Sequence, residues 1–142
     1  MRVAPPLILL TAAALIGAAP PAASVKAQMK TIVEPASTLV FAVGGEADPD
    51  NAPPAPVLAE ARWLDAAAQS ARLKAVADQL LSPTLMRTGE TWRRQADIMS
   101  KASADAERAA RAHDGAGFTK AANALGDTCA GCHDVYIPKP AG

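Results

Sequence analysis

The chain has 142 residues, 14 Lys or Arg against 14 Asp or Glu, and is half apolar but only 4% aromatic. That length allows one compact domain, and balanced charge with no block of like sign excludes the electrostatic footprint of a nucleic-acid or membrane-surface binder. Alanine, the best helix former and a poor strand former, dominates the apolar residues, so the composition points to helices around a thin core that would gain from a large apolar cofactor.

Met1-Arg2 is a short positive start, Leu7 to Ile16 is an apolar run of ten residues, and small residues follow to Ser24. This is the layout of a secretory signal peptide, and the run is too short to span a bilayer. Residues 1–24 are expected to be removed, with cleavage between Ala19 and Ala27. The domain is then 25–142, with 13 basic and 14 acidic side chains once Arg2 is lost. It is expected outside the cytoplasm, without stable membrane association.

The first helix is expected from about Lys26 to Val43 and is ended by Gly44-Gly45, since glycine commonly closes helices. Residues 46–56, acidic and rich in proline, cannot be helix or central strand and read as a loop. A second helix begins near Pro56 and continues to about Leu81; Leu73, Val76, Ala77, Leu80 and Leu81 repeat with the spacing of one buried face. Ser82-Pro83 stops it. A third runs from about Gly89 to Ala112, with Trp92, Ala96, Met99, Ala102, Ala106 and Ala109 three or four apart. A fourth runs from about Ala116 to Val135 and carries Phe118, Ala121, Leu125, Cys129 and Cys132 on one face. Pro138 and Pro140 close the chain. Four helices of about 20 residues with short links predict an all-α, antiparallel four-helix bundle, an architecture that often holds cofactors in its core.

The fourth helix ends in Cys129-Ala130-Gly131-Cys132-His133. A C-x-x-C-H run reads as covalent attachment of haem c. Residues i and i+3 of a helix point the same way, so two thiols can reach two vinyl groups on one side of a porphyrin, and the adjacent histidine sets an imidazole under the iron. A zinc site would need four ligands, and only Cys129, Cys132, His133 and a distant His113 are available. A thiol–disulfide redox pair normally starts a helix in a βαβ setting, and no strand pattern is present. A structural disulfide is compatible with export, but the export signal and the helical pattern agree with the haem reading.

With Tyr136, the run becomes C-x-x-C-H-x-x-Y near the end of a four-helix chain. In this the sequence resembles the class II cytochromes c, which comprise cytochrome c′ and its low-spin, methionine-ligated relatives. The layout matches over the whole of 25–142, and the specific motif covers the last ten or so residues. The resemblance implies a bacterial periplasmic protein with one covalent haem c, held by Cys129 and Cys132, with His133 as proximal iron ligand. Tyr136 falls on nearly the same helix face; it covers the haem or serves ordinary C-terminal packing.

The sixth iron position decides the function. A second protein ligand leaves electron transfer, and an axial methionine raises the potential. In the low-spin relatives this ligand is a methionine of the first helix, often in a Met-Lys step, and Met29-Lys30 matches it. The resemblance therefore implies Met29 as distal ligand and an electron carrier serving redox partner proteins. The alternatives are that Met29 is a flexible core filler, and that the distal face is open, giving a five-coordinate cytochrome c′ that binds nitric oxide or carbon monoxide. Met99 reads as core, Met86 as linker, and His113 as a solvated end group suited to a helix C-terminus. Trp63 and Trp92 are candidates for the haem pocket, for bundle packing or for contact with a second chain. Members of the family often pair through their first two helices, so the resemblance also admits a homodimer. No paired carboxylates or nucleophile-plus-base arrangement is present, and no enzyme activity is expected. Lys26 and Lys30 are candidate partners of the haem propionates.

Overall fold

The computed structural model describes residues 24–51 and 57–137. The expected export signal up to residue 23, residues 52–56 of the proline-rich loop, and Pro138 and Pro140 lie outside these. The elements are α1 (Val25–Gln28), a wide π-type turn (Met29–Val33), α2 (Glu34–Ala47), α3 (Glu60–Leu80), α4 (Glu90–Arg111) and α5 (Gly115–Tyr136). There is no strand among the described residues.

The first three elements form one continuous helical rod, 25–47, because every junction residue keeps right-handed helical backbone angles. Ser24 starts it, its hydroxyl accepting the Ala27 N–H at 3.2 Å. The wide turn has a local cause. Pro35 has no N–H to give the carbonyl four residues back and its ring crowds that carbonyl. The helix widens just before it, and the Glu34 N–H reaches back five residues to the Met29 carbonyl.

Two expectations about this region are corrected. Gly44-Gly45 does not end the first helix, which continues to Ala47. A Cβ placed on Gly44 would lie 2.9 Å from the Cβ of Ala122 on α5, so this glycine serves a close helix–helix approach rather than a cap. The loop accordingly starts at Asp48, two residues later than expected. The second helix starts at Glu60 rather than near Pro56: Ala59 is in an extended conformation (ψ 147°) and stands as its N-cap.

The rod, α3, α4 and α5 pack in a ring, each against two neighbours. Contacts between ends show that neighbours run in opposite directions. Glu46 at the end of α2 pairs with Arg62 at the start of α3. The Leu80 carbonyl at the end of α3 accepts the Trp92 indole N–H at the start of α4, at 2.8 Å. The Thr119 hydroxyl at the start of α5 donates to the Gly44 carbonyl near the end of α2, at 2.8 Å. Four helices therefore pack against one another in an arrangement compatible with an antiparallel four-helix bundle.

The helix contacts are made largely by alanine: Ala66, Ala77, Ala106 and Ala110 are fully buried. The turn from α4 to α5 is built without glycine. His113 takes a left-handed conformation (φ 53°), its N–H donating to the Ala110 carbonyl and the Asp114 N–H to that of Ala109. Stacking of His113 on Trp63 at 5.6 Å, and a 3.0 Å contact from its Nε2 to Glu60, hold it there.

Adjacent glycines give a paired test of this packing. Gly45 lies within the helix and has no atom within 4 Å of the position a Cβ would take, so Gly45→Ala should stabilise by about 0.5–1 kcal/mol. Gly44→Ala gains the same propensity but must push α2 and α5 apart, and should fall below Gly45→Ala by about 1–3 kcal/mol in urea unfolding.

Candidate functional site

The two ends of the helix assembly are filled differently. At one end Trp63 packs edge-on against Phe118, ring centroids 5.9 Å apart, and His113 stacks on the other side of Trp63. At the opposite end the helices enclose a cavity of about 470 Å³, within the roughly 300–1,000 Å³ of cofactor and small-molecule sites.

Four elements supply its walls. From the start of the rod come Val25, Met29 and Val33; from the end of α3, Leu80. The start of α4 adds Trp92, Ala96 and Met99. The end of α5 adds Thr128, Cys129, Cys132, His133 and Tyr136. The expected attachment cysteines, the expected proximal histidine and the expected distal methionine thus border one space, although Met29 and Cys129 are far apart in the chain. Gln28 helps to aim Met29: its amide N–H donates to the Gln79 side chain at 2.7 Å, tying the start of the rod to α3.

Both cysteines are free thiols, half-buried on this wall. Burial pushes each thiol up from its ordinary value, because a thiolate is poorly solvated there. Cys132 is pushed further by Cys129 and drawn back by the charge of Arg87. Among the described residues no group of three or more His, Cys, Asp or Glu converges as the ligands of a bare metal ion would.

Tyr136 has two roles at once. Its ring lines the cavity and meets Trp92 edge-on, centroids 5.2 Å apart and planes at 89°. Its hydroxyl accepts the Trp92 backbone N–H at 3.1 Å. Trp92 is the third residue of α4, and α4 has no side-chain cap of its own, so Tyr136 does the work of an N-cap from another helix. Gly89 makes room: it sits at φ 125°, where a side chain is strained, and a Cβ there would lie 2.9 Å from the tyrosine oxygen.

Of the remaining candidates, Trp92 is at the cavity and Trp63 at the far end. His113 is at the far end, while Met99 is buried on the cavity wall and Met86 is exposed. Sequence reasoning missed Arg87 and Gln95, which also border the cavity. Arg87 sits in the link between α3 and α4, where no periodicity marks a face. Compared with models of protein families, with curated proteins and with solved structures, the chain matches none.

Two outcomes follow from this geometry. Tyr136→Phe keeps the ring contact and removes the acceptor, and should cost about 0.5–2 kcal/mol in chemical unfolding, as loss of a helix cap does. The raised thiols should stay protonated, and so alkylate slowly, where an exposed cysteine is already reacting. Iodoacetamide rates at both cysteines of the purified chain, with their thiols free, should lag a cysteine peptide at pH 8 and still be climbing above pH 9.

Proposed function

We propose that the chain is a periplasmic monohaem c-type cytochrome of the class II kind that carries electrons between redox partner proteins. Cys129 and Cys132 would hold haem c by thioether bonds, His133 would be the proximal iron ligand and Met29 the distal one. The observation that carries this reading is that all four residues border one apolar cavity at the end of the helix assembly. In this reading the four packed helices are the antiparallel bundle in which class II cytochromes hold their haem.

The residues present fit the group. The cavity is of cofactor size, its walls are chiefly aliphatic and aromatic, and its polar side chains are few. The donor set is two thiols and an imidazole in C-x-x-C-H spacing, with a thioether on a separate helix. Bound haem supplies one-electron chemistry at iron, and an axial thioether favours the reduced state. The chain's own residues do the rest. Cys129 and Cys132, three apart on α5, present two sulfurs to one side. The aliphatic and aromatic walls exclude water, and the tie of Gln28 to Gln79 sets the part of the rod that carries Met29.

The test is an optical spectrum, in both oxidation states, of protein made in a host that attaches haem c. A low-spin spectrum with a sulfur-to-iron charge-transfer band is expected. Met29→Ala should abolish that band and turn the iron high-spin, whereas Met99→Ala should leave the band in place. A high-spin wild type that shifts on adding carbon monoxide would instead assign the open-faced, gas-binding alternative. Absence of haem absorbance in a competent host would overturn the proposal.

A further inference from the structure

Sixteen side chains border the cavity, and their charges are one-sided. Lys26 and Arg87 carry positive charge, and no aspartate or glutamate is among them. Both cations are exposed, whereas Val33, Leu80, Trp92 and Met99 are buried. The apolar surface is therefore inside and the cations are at the mouth. Neither has a carboxylate partner among the described residues, although five other Lys or Arg side chains pair with carboxylates there. An unpaired cation at the edge of an apolar cavity favours a ligand with an apolar body and a negative edge.

Arg87 is the better placed of the two. Its guanidinium lies over the Trp92 ring at 5.8 Å, so the aromatic wall of the cavity holds the charge at its rim. Two residues on, the chain turns through Gly89 at φ 125° into α4, which sets the link that carries Arg87. A guanidinium presents paired N–H donors that match a carboxylate; the Lys26 ammonium offers a point charge.

We propose that Arg87, held over Trp92 and assisted by Lys26, is an anion subsite at the cavity mouth that binds the carboxylates of a tetrapyrrole and so fixes which edge of the ring faces solvent. This rests on the tetrapyrrole reading of the cavity and adds a residue that the attachment motif does not specify. Arg87 acts as a positioning residue: it takes no part in electron transfer and orients the group that does.

The test uses the haem-free full chain and two fluorescent probes. Mesoporphyrin IX has ethyl groups in place of vinyls, so it forms no thioether, and it keeps both propionates. Its dimethyl ester has the same ring without the charges. Wild type should bind the diacid more tightly than the ester. Arg87→Gln should weaken diacid binding about tenfold, equivalent to 1.4 kcal/mol, and leave ester binding within about threefold. Arg87→Lys should fall between them, and the diacid preference should shrink as salt is raised. Variants are compared only where the thermal midpoint matches wild type; Lys26→Gln, on a separate element, gives the same selective loss on a smaller scale. Equal loss of diacid and ester in Arg87→Gln would show that Arg87 only packs on Trp92, and would overturn the subsite. Unchanged binding of both would also overturn it, with the tetrapyrrole reading intact. Failure of wild type to bind either ring would defeat that reading and the subsite together.

Discussion

Small side chains at the helix contacts set the dimensions of the rest of the molecule. Alanine makes up about half of the buried apolar side chains, and at Gly44 even one methyl group is dispensed with so that α2 can approach Ala122. Helices that come this close leave little interior to fill, and the chain has only five aromatic residues with which to fill it. One aromatic group, Trp63 with Phe118, closes the far end. The other, Trp92 with Tyr136, stands along the wall of the cavity. The walls of an apolar space of this size offer a ligand the dispersion contacts that a packed core makes with itself. The helix ends around it accordingly gain from any ligand that makes those contacts.

The end of α5 and the start of α4 are bound into one unit. Tyr136 supplies the cap that α4 lacks, Gly89 supplies the space for its hydroxyl, and Trp92 receives both the tyrosine ring and the Arg87 guanidinium. The helix turn that bears Cys132 and His133 is thus anchored just beyond them, through a hydrogen bond to backbone rather than to another flexible side chain. Such an arrangement holds the turn with Cys132 and His133 in one orientation at the cavity wall, as pre-organisation of a site would require.

The elements that repeat with helical spacing were legible in the sequence. The starts and ends of α4 and α5 fall within a residue or so of the expected ones, because Trp92 through Ala109 and Phe118 through Cys132 keep one buried face. The motif residues could be named, and so could Met29, through the resemblance. What was not legible depends on tertiary contact. A glycine pair signals a helix end unless a neighbouring helix needs the space, and Ala122 lies far along the chain from Gly44. The left-handed residue that ends α4 is His113, where a glycine would have been the readable sign; its stability comes from Trp63 and Glu60 on another helix. Arg87 lies in a link without periodicity, so its place at the cavity could come only from the fold. Pro35 lies within the first helix expected from the sequence, which runs straight through it; a proline inside a helix disturbs it, but the form of the disturbance depends on how the helix packs.

That disturbance has a consequence for how the rod tolerates change. A single wide turn accommodates one residue more than an α-helix does over the same rise, and one residue corresponds to about 100° of rotation. The stretch that leads into it, with Val25 and Lys26, and Met29 at its first position, is therefore out of phase with Ala36, Val40 and Val43, which face the core. The azimuth of the cavity-facing side chains is set independently of the azimuth of the core-facing ones. Loss of one residue within 29–33 would leave the helix content almost unchanged while swinging Met29 and Lys26 around the rod, whereas the same loss within 36–43 would misalign the core itself. Insertions and deletions on the two sides of Pro35 are thus different kinds of event: on one side they re-aim a site, on the other they unmake the fold.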